Sequence, residues 1–366
     1  MNSEKRGLVR FARDLPLVDE YVTLGEGETP LVPLDKLAKR LKMGRLSAKL
    51  ESHNPTGSFH DRVAAMSMSL ARTRGKKGWI ATCSESAGMA LAAYGARAGL
   101  PGLLCVVSSA PGQDYASLLP FGAHVVGVQS AADGMTSKSM EEMFARIAVS
   151  AEQHNLYLAS AVHTHNHDGM RGLDAIGYEL AEQAPKASHV YVPTGGGGLA
   201  AAIGRGLKYQ GIKAKMIACQ PAGCAPVVYF LSGVSSSPTV YRCESKIAGL
   251  QVPHPPDGRL AADAVRKSGG WGTVASDDEI IAAQSMLAAT EGIFVEAAGG
   301  AALAAMIKDL EYGRIDATGH QILVLSGAGW KDMGRYGAAA AAPPVVDVAD
   351  LQGQVDRWAE ELNDKP

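Results

Sequence analysis

The chain has 366 residues, room for two lobes, since single hydrophobic cores stop growing near ~250–300 residues. Its formal net charge is −2 at pH 7 with acids and bases interspersed, so nothing marks it as a partner of nucleic acid or of an anionic membrane. No apolar run approaches the ~18 residues of a spanning helix, and the polar start, Met1 to Arg6, leads into no signal-peptide pattern.

Short apolar runs alternate with longer helical patterns, the signature of a parallel sheet covered by helices. Leu46 to Leu50 reads as a strand and Gly78 to Thr82 as another. Between them Phe59 to Arg74 reads as a helix, with Val63, Met66 and Leu70 on one face. Ala87 to Ala98 is a second helix, small and apolar, closed by Gly99 as a C′ glycine. Leu103 to Val107 and His124 to Val128 are expected strands of a smaller unit, with Tyr115 to Leu119 helical between them. Met140 to His154 reads as a long helix and Leu156 to Ala159 as a strand. Val190 to Val192, Met216 to Cys219 and Ile322 to Leu325 are buried strands, and Ala200 to Leu207 is a helix after the first of them. Ala338 through Pro344 reads as a hinge and Val348 to Leu362 as a surface helix.

The strongest motifs lie at both ends of this series, which predicts one discontinuous lobe. Residues 1–85 and 170–345 are expected to form a larger cofactor- or phosphate-binding lobe, 86–169 a smaller inserted α/β lobe, and 346–366 a tail helix. The five cysteines (Cys83, Cys105, Cys219, Cys224 and Cys243) are scattered without a C-x-x-C pair. That fits reduced thiols in a cytoplasmic protein, with Cys219 and Cys224 buried as small hydrophobes.

Pro193-Thr194-Gly195-Gly196-Gly197-Gly198-Leu199 follows a strand and opens a helix. Glycines there let the backbone approach an anion, and the helix start supplies unpaired N–H groups and a positive dipole end. Gly197-Gly198-Leu199-Ala200 excludes the G-x-G-x-x-G dinucleotide fingerprint, so a lone phosphate is the expected ligand. Ser326-Gly327-Ala328-Gly329-Trp330-Lys331-Asp332 also leaves a strand.

Asn54-Pro55-Thr56-Gly57-Ser58-Phe59-His60-Asp61-Arg62 resembles the lysine-bearing segment of fold-type II pyridoxal-phosphate (PLP) enzymes, N-P-T-G-S-F-K-D-R, with His60 where the family has its Schiff-base lysine. Gly27-Glu28-Thr29-Pro30-Leu31 is similar to the family's G-x-T-P-L opening, and Glu291 to Ala302 to its E-G-I-F-V-E-P-A-S-A-A. The segment from Ser326 resembles T-G-x-G-L-K-D of threonine synthases, and the likeness spans most of the chain. The resemblance implies a tryptophan synthase β-like α/β fold, with two lobes each built on a mostly parallel sheet covered by helices. It implies a homodimer, PLP phosphate on Thr194 and Gly195 to Gly198, and the Ser326 hydroxyl on the pyridine nitrogen, which a hydroxyl keeps neutral.

Cys83-Ser84-Glu85-Ser86-Ala87-Gly88 departs from the family's S-S/T-G-N-T/A-G: the asparagine that contacts the cofactor becomes Ser86, and a glycine becomes Glu85. Ser84, Glu85, Ser86 and Ala87 then line the substrate carboxylate, where Glu85 would repel it unless turned away. Two changes near the aldehyde end mark divergence rather than a single replacement.

Imidazole forms no stable imine, so three readings of His60, with Ser58 and Asp61 beside it as further candidate catalytic residues, stay open. In the first it is an acid/base beside PLP held without a covalent bond, in a threonine synthase-like elimination or replacement on an amino-acid side chain. A phosphorylated or hydroxylated amino acid is then the expected small-molecule substrate. In the second PLP is gone and the cradle holds another phosphate-bearing ligand of a lyase or transferase. In the third the site is silent and the protein only binds. Lys331 is expected not to replace the missing lysine, because relatives that have it carry the same residue. His163, His165 and His167 alternate as metal ligands can, but no carboxylate or thiol completes a set, and a substrate-facing or solvated loop is the better reading.

Overall fold

The computed structural model describes residues 6–82, 84–107, 115–129, 137–334, 343 and 345–363. Two sheets organise them. Strands β1 (Leu31–Pro33), β2 (Arg45–Leu50), β7 (His189–Pro193), β8 (Lys215–Pro221), β9 (Trp271–Ala275) and β10 (His320–Leu325) form a six-stranded sheet in the order β1-β2-β10-β7-β8-β9. Strands β3 (Gly78–Thr82), β4 (Gly102–Val107), β5 (His124–Val128) and β6 (Leu156–Leu158) form a four-stranded sheet in the order β5-β4-β3-β6. Every pairing is parallel except β1 with β2.

Parallel neighbours need long crossovers, and helices supply them. In chain order these are α1 (Asp35–Arg40), α2 (His60–Thr73), α3 (Glu85–Ala98), α4 (Ser137–Gln153), α5 (His167–Met170) and α6 (Asp174–Gln183). Then follow α7 (Gly198–Tyr209), α8 (Pro226–Leu231), α9 (Gly258–Lys267), α10 (Asp277–Glu291) and α11 (Ala297–Glu311). Helices on both faces leave the central strands without a wet side, so β3 and β10 are buried along their whole length and read as continuous apolar runs.

The sequence located eight of these strands. It missed β1, short and half-exposed, and β9, whose Trp271-Gly272-Thr273 start has no apolar run. The four-stranded sheet begins with β3, ahead of the boundary expected after residue 85, because β3 bonds to β4 and β6 rather than to β2. Met1–Lys331 forms one compact unit and Asp332–Pro366 a second, earlier than the tail boundary expected at 346. In the second unit α12 (Leu351–Asn363) is mostly exposed over its described side chains. The expected hinge at 338–344 lies outside the described residues apart from Pro343, and so does Cys83. Cys224 and Cys243 are joined as a disulfide with Cα atoms 4.9 Å apart, which corrects the expectation of reduced thiols for this pair. Cys105 and Cys219 remain free. No helix of the described residues is long and apolar enough to cross a membrane.

A charged cluster lies under the start of α2. The fully buried Arg62 guanidinium donates from Nε and Nη2 to Glu51, both at 2.8 Å, and from Nη1 and Nη2 to Glu179 at 2.6 and 2.9 Å. Lys49 Nζ donates to Glu179 at 2.5 Å, to the Thr29 carbonyl at 2.7 Å and to Gln183 at 2.9 Å. Two cations thus face two carboxylates, and the bidentate geometry satisfies the fork of the guanidinium. Burial pushes the Glu179 carboxyl up, but Arg62 and then Lys49 overcome it and hold it down at about 2. Its contribution to stability is therefore complete above the ordinary glutamate range and is lost as pH falls through about 2.

Removing the guanidinium leaves buried Glu51 without its cation and Glu179 with Lys49 alone. Arg62→Met is expected to cost about 3–5 kcal/mol of stability, measured from the urea midpoint and slope. A loss under about 1 kcal/mol would mean that water reaches the cluster.

Candidate active site

Adjacent parallel strands place their C-terminal ends side by side. Leu50 of β2 pairs with Leu325 of β10, and β10 pairs in turn with β7. The segments that leave these strands are Glu51 to His60, Ser326 to Lys331 and Thr194 to Gly198, and neighbouring strands lie only about 4.8 Å apart. In open α/β sheets such carboxyl ends are where ligands bind.

The loop from Ser326 is clamped on both sides by backbone hydrogen bonds. Ala328 N donates to the Gly57 carbonyl at 2.8 Å, and Phe59 N to the Ser326 carbonyl at 3.2 Å. On the other side Glu296 N donates to the Gly327 carbonyl at 3.0 Å and Gly329 N to the Phe294 carbonyl at 3.1 Å. Gly57 has φ +81°, and a Cβ there would stand 2.6 Å from the Trp330 ring. The turn before α2 and the loop after β10 therefore fit only with glycine at this point.

The glycine cradle sits at the N-terminus of α7. Among the described residues, no hydrogen bond takes the N–H groups of Gly195, Gly196 or Gly197. A Cβ on Gly197, whose φ is +96°, would stand 2.6 Å from the Asp257 carbonyl, and one on Gly195 would stand 2.8 Å from the Gly249 carbonyl. At Gly196 a Cβ would meet nothing nearer than 3.8 Å, so open space lies in front of that residue. Thr194 does not face this space with its hydroxyl, which donates to the Val192 carbonyl at 2.8 Å. Asp257 holds the cradle from behind. Its N–H donates to the Gly196 carbonyl at 2.9 Å, and its carboxylate accepts from His163 N at 2.9 and 3.1 Å. Burial raises that carboxyl to about 6. Nothing in the sequence pointed to Asp257, because Asp-Gly reads as an ordinary turn.

Ser326 is buried, and its hydroxyl donates to the Glu296 carboxylate at 2.9 Å. Glu296 had been read only as part of a motif. A Cβ on Gly327 would lie 2.5 Å from its carboxyl carbon, so the glycine makes room for that contact.

His60 is the first residue of α2 and only partly buried. Its ring stacks on Phe59 with centroids 3.9 Å apart, and Nδ1 lies 3.3 Å from the Ser58 hydroxyl. Burial, and after it the positive charge of Lys331, lower the imidazole to about 3. It is neutral at neutral pH. Asp61, expected beside it as a catalytic group, turns the other way: its carboxylate accepts from the N–H and hydroxyl of Thr56 and closes the 56–61 turn. Burial raises it to about 6 in spite of those two donors.

At the start of α3, Ser84 is exposed, Glu85 and Ser86 are partly buried and Ala87 is buried. Glu85 accepts from Ser117 at 3.4 Å and occupies the first turn, where the helix dipole favours an anion. Of the alternating histidines, the His163 and His167 rings meet edge to face with centroids 4.9 Å apart. His163 Nε2 lies 3.1 Å from Arg205, His165 stacks on Phe144, and His167 pairs with Asp168.

Three free N–H groups, a glycine cradle that side chains would fill, and a buried hydroxyl on the adjacent strand fit a phosphate-bearing aromatic ligand. Sequence comparison points the same way. The chain is 29% identical to threonine synthase of Methanosarcina acetivorans, over 95% of its own length and 85% of that protein's. It is 31% identical to threonine synthase of Methanocaldococcus jannaschii, over 89% and 81% respectively. Maize serine racemase superimposes with a TM-score of 0.69 at 20% identity, covering 84% of this chain and 93% of that one. The processed threonine deaminase isoform 2 of Solanum lycopersicum gives 0.68 at 21%, covering 90% and 82%. Two mostly parallel sheets covered by helices are thus a fold this chain shares with these enzymes. Residues 22–327 match the family described as pyridoxal-phosphate dependent enzymes, and the chain belongs to that family.

Proposed function

We propose that the chain is a PLP-dependent lyase or synthase that eliminates or replaces a group on the side chain of a small amino acid. The observation that carries this reading is the cradle: unpaired N–H groups of Gly195, Gly196 and Gly197 at a helix N-terminus, one strand away from Ser326. The relatives named threonine synthase support the reaction class.

The cradle N–H groups and the dipole of α7 would hold the phosphate. Ser326 would meet the ring nitrogen with its oxygen, since its proton is committed to Glu296. That departs from the neutral nitrogen expected of a hydroxyl. The first turn of α3, with Ser84, Glu85, Ser86 and Ala87, would orient the substrate. Glu85 would disfavour a carboxylate at its own position, so the substrate's carboxylate binds toward the helix backbone or the substrate brings an amine to this place. When bound, PLP supplies an electron-withdrawing ring that eases loss of a proton next to the amino group. His60 offers Nε2 as a proton acceptor while Ser58 orients Nδ1. An imidazole lowered to about 3 is a weak base, so it suits relay of a proton between neighbours better than removal of one from carbon. A small-molecule substrate and a homodimer are part of the proposal.

PLP should add one saturable absorption band and one cofactor mass per chain in native mass spectrometry. Gly197→Ala should weaken that binding at least about tenfold, or roughly 1.4 kcal/mol, through positive φ and the clash with Asp257. If PLP adds neither colour nor mass, the cradle serves some other phosphate and the proposal fails. Imidazole titration followed by NMR should leave His60 neutral throughout the ordinary histidine range, down to about 3. Lys331→Met should raise that value only part-way, because burial is the larger cause. A His60 that titrates near its ordinary value would reinstate it as an effective base.

A further inference from the structure

Among the described residues Lys49 is buried and Lys331 partly buried, and their surroundings differ. Lys49 gives its protons to a carboxylate, a carbonyl and an amide oxygen, and is structurally spent. Lys331 enters the active site from the loop after β10. An ideal Cβ on Gly57 would lie 3.2 Å from its Cε, which places the end of its stem against the turn before α2. Its Nζ lies 3.5 Å from the Met89 sulfur of α3 and 4.9 Å from the centre of the Trp330 ring. Among the described residues it forms no salt bridge within 4.0 Å, and a thioether is the only acceptor it has. A thioether accepts weakly. The amine is nevertheless close enough to His60 for its charge to be felt there.

We propose that Lys331 provides the amine that position 60 lacks, forming the covalent link to the aldehyde of PLP. This rests on the function proposed above. The free amine of Lys331 adds its electron pair to the aldehyde carbon, and the carbonyl oxygen takes up protons and leaves as water. The nitrogen gives up both of its hydrogens and a C=N bond replaces C=O. Nothing is oxidised or reduced. A substrate amine reverses the exchange and frees Lys331 as the amine. Such a reaction needs a lysine desolvated beside the carbonyl. Burial lowers the basicity of Lys331, outweighing Glu296, Asp61 and Glu85, which raise it.

That a lysine with this neighbourhood occurs in relatives already carrying the usual one argued against it at the level of sequence. The Lys331 stem lies against Gly57, three residues before His60, and among the described residues its amine meets only the Met89 sulfur as an acceptor.

The test is borohydride trapping. The full chain is incubated with PLP, reduced, digested and mapped by mass spectrometry, with native mass spectrometry of the unreduced sample alongside. The expected result is a single phosphopyridoxyl group on the peptide bearing Lys331. Lys331→Met and Lys331→Arg should lose it while keeping the bound cofactor mass and the wild-type circular dichroism. His60→Lys should divert the label to position 60. Cofactor bound without any fixed label, or a label on another lysine, overturns the role of Lys331 and leaves the proposed function standing. Absence of cofactor from the native spectrum overturns both.

Discussion

The rest of the site depends on the ion cluster around Arg62. Burying four charges is costly, and they persist together because each meets the opposite sign in good geometry. The cluster also gathers chain that is far apart in sequence. Gly27 N donates to Asn54, Glu28 N to Glu179, and the Thr29 hydroxyl to Glu51. The G-E-T-P-L opening and the N-P-T-G-S-F segment are therefore two sides of one polar knot. With Arg62 fixed, the first turn of α2 has no freedom, and the position of residue 60 follows.

On that foundation the site is assembled by backbone more than by side chains. The loop after β10 is pinned between residues 57–59 and 294–296, and the cradle is pinned by Asp257. Side chains with chemical potential then hang from a rigid frame: Ser326 leaning on Glu296, His60 on Ser58, Lys331 on sulfur. Their electrostatics follow from burial. Neutral imidazole, a carboxyl raised at Asp61 and a less basic amine all express the same reluctance of a dry site to hold charge.

Much of this could be read from the sequence where a single residue type admits one geometry. The glycines of the cradle, Gly99 closing α3 with φ +69°, and the apolar runs of β3, β7, β8 and β10 are of that kind. Partnerships across the fold could not be read. Asp61 sits next to His60 in sequence, yet its carboxylate answers to Thr56. Glu296 and Ser326 meet only because two loops cross, and Lys331 reaches Met89 from 242 residues away. The Cys224–Cys243 bond was hidden for the same reason: spacing along the chain carries no information about where two thiols converge.

The pairing of β2 with β10 has a consequence for how the protein comes into being. Arg45 to Leu50 must wait beside an empty edge until His320 to Leu325 leaves the ribosome, about three quarters of the chain length later. Closing so long a loop carries a large entropic cost and slows folding. The candidate site, framed in part by those two strand ends, is thus among the last features to take shape. A nascent chain stalled just before β10 would contain the glycine cradle and His60 but neither Ser326 nor Lys331.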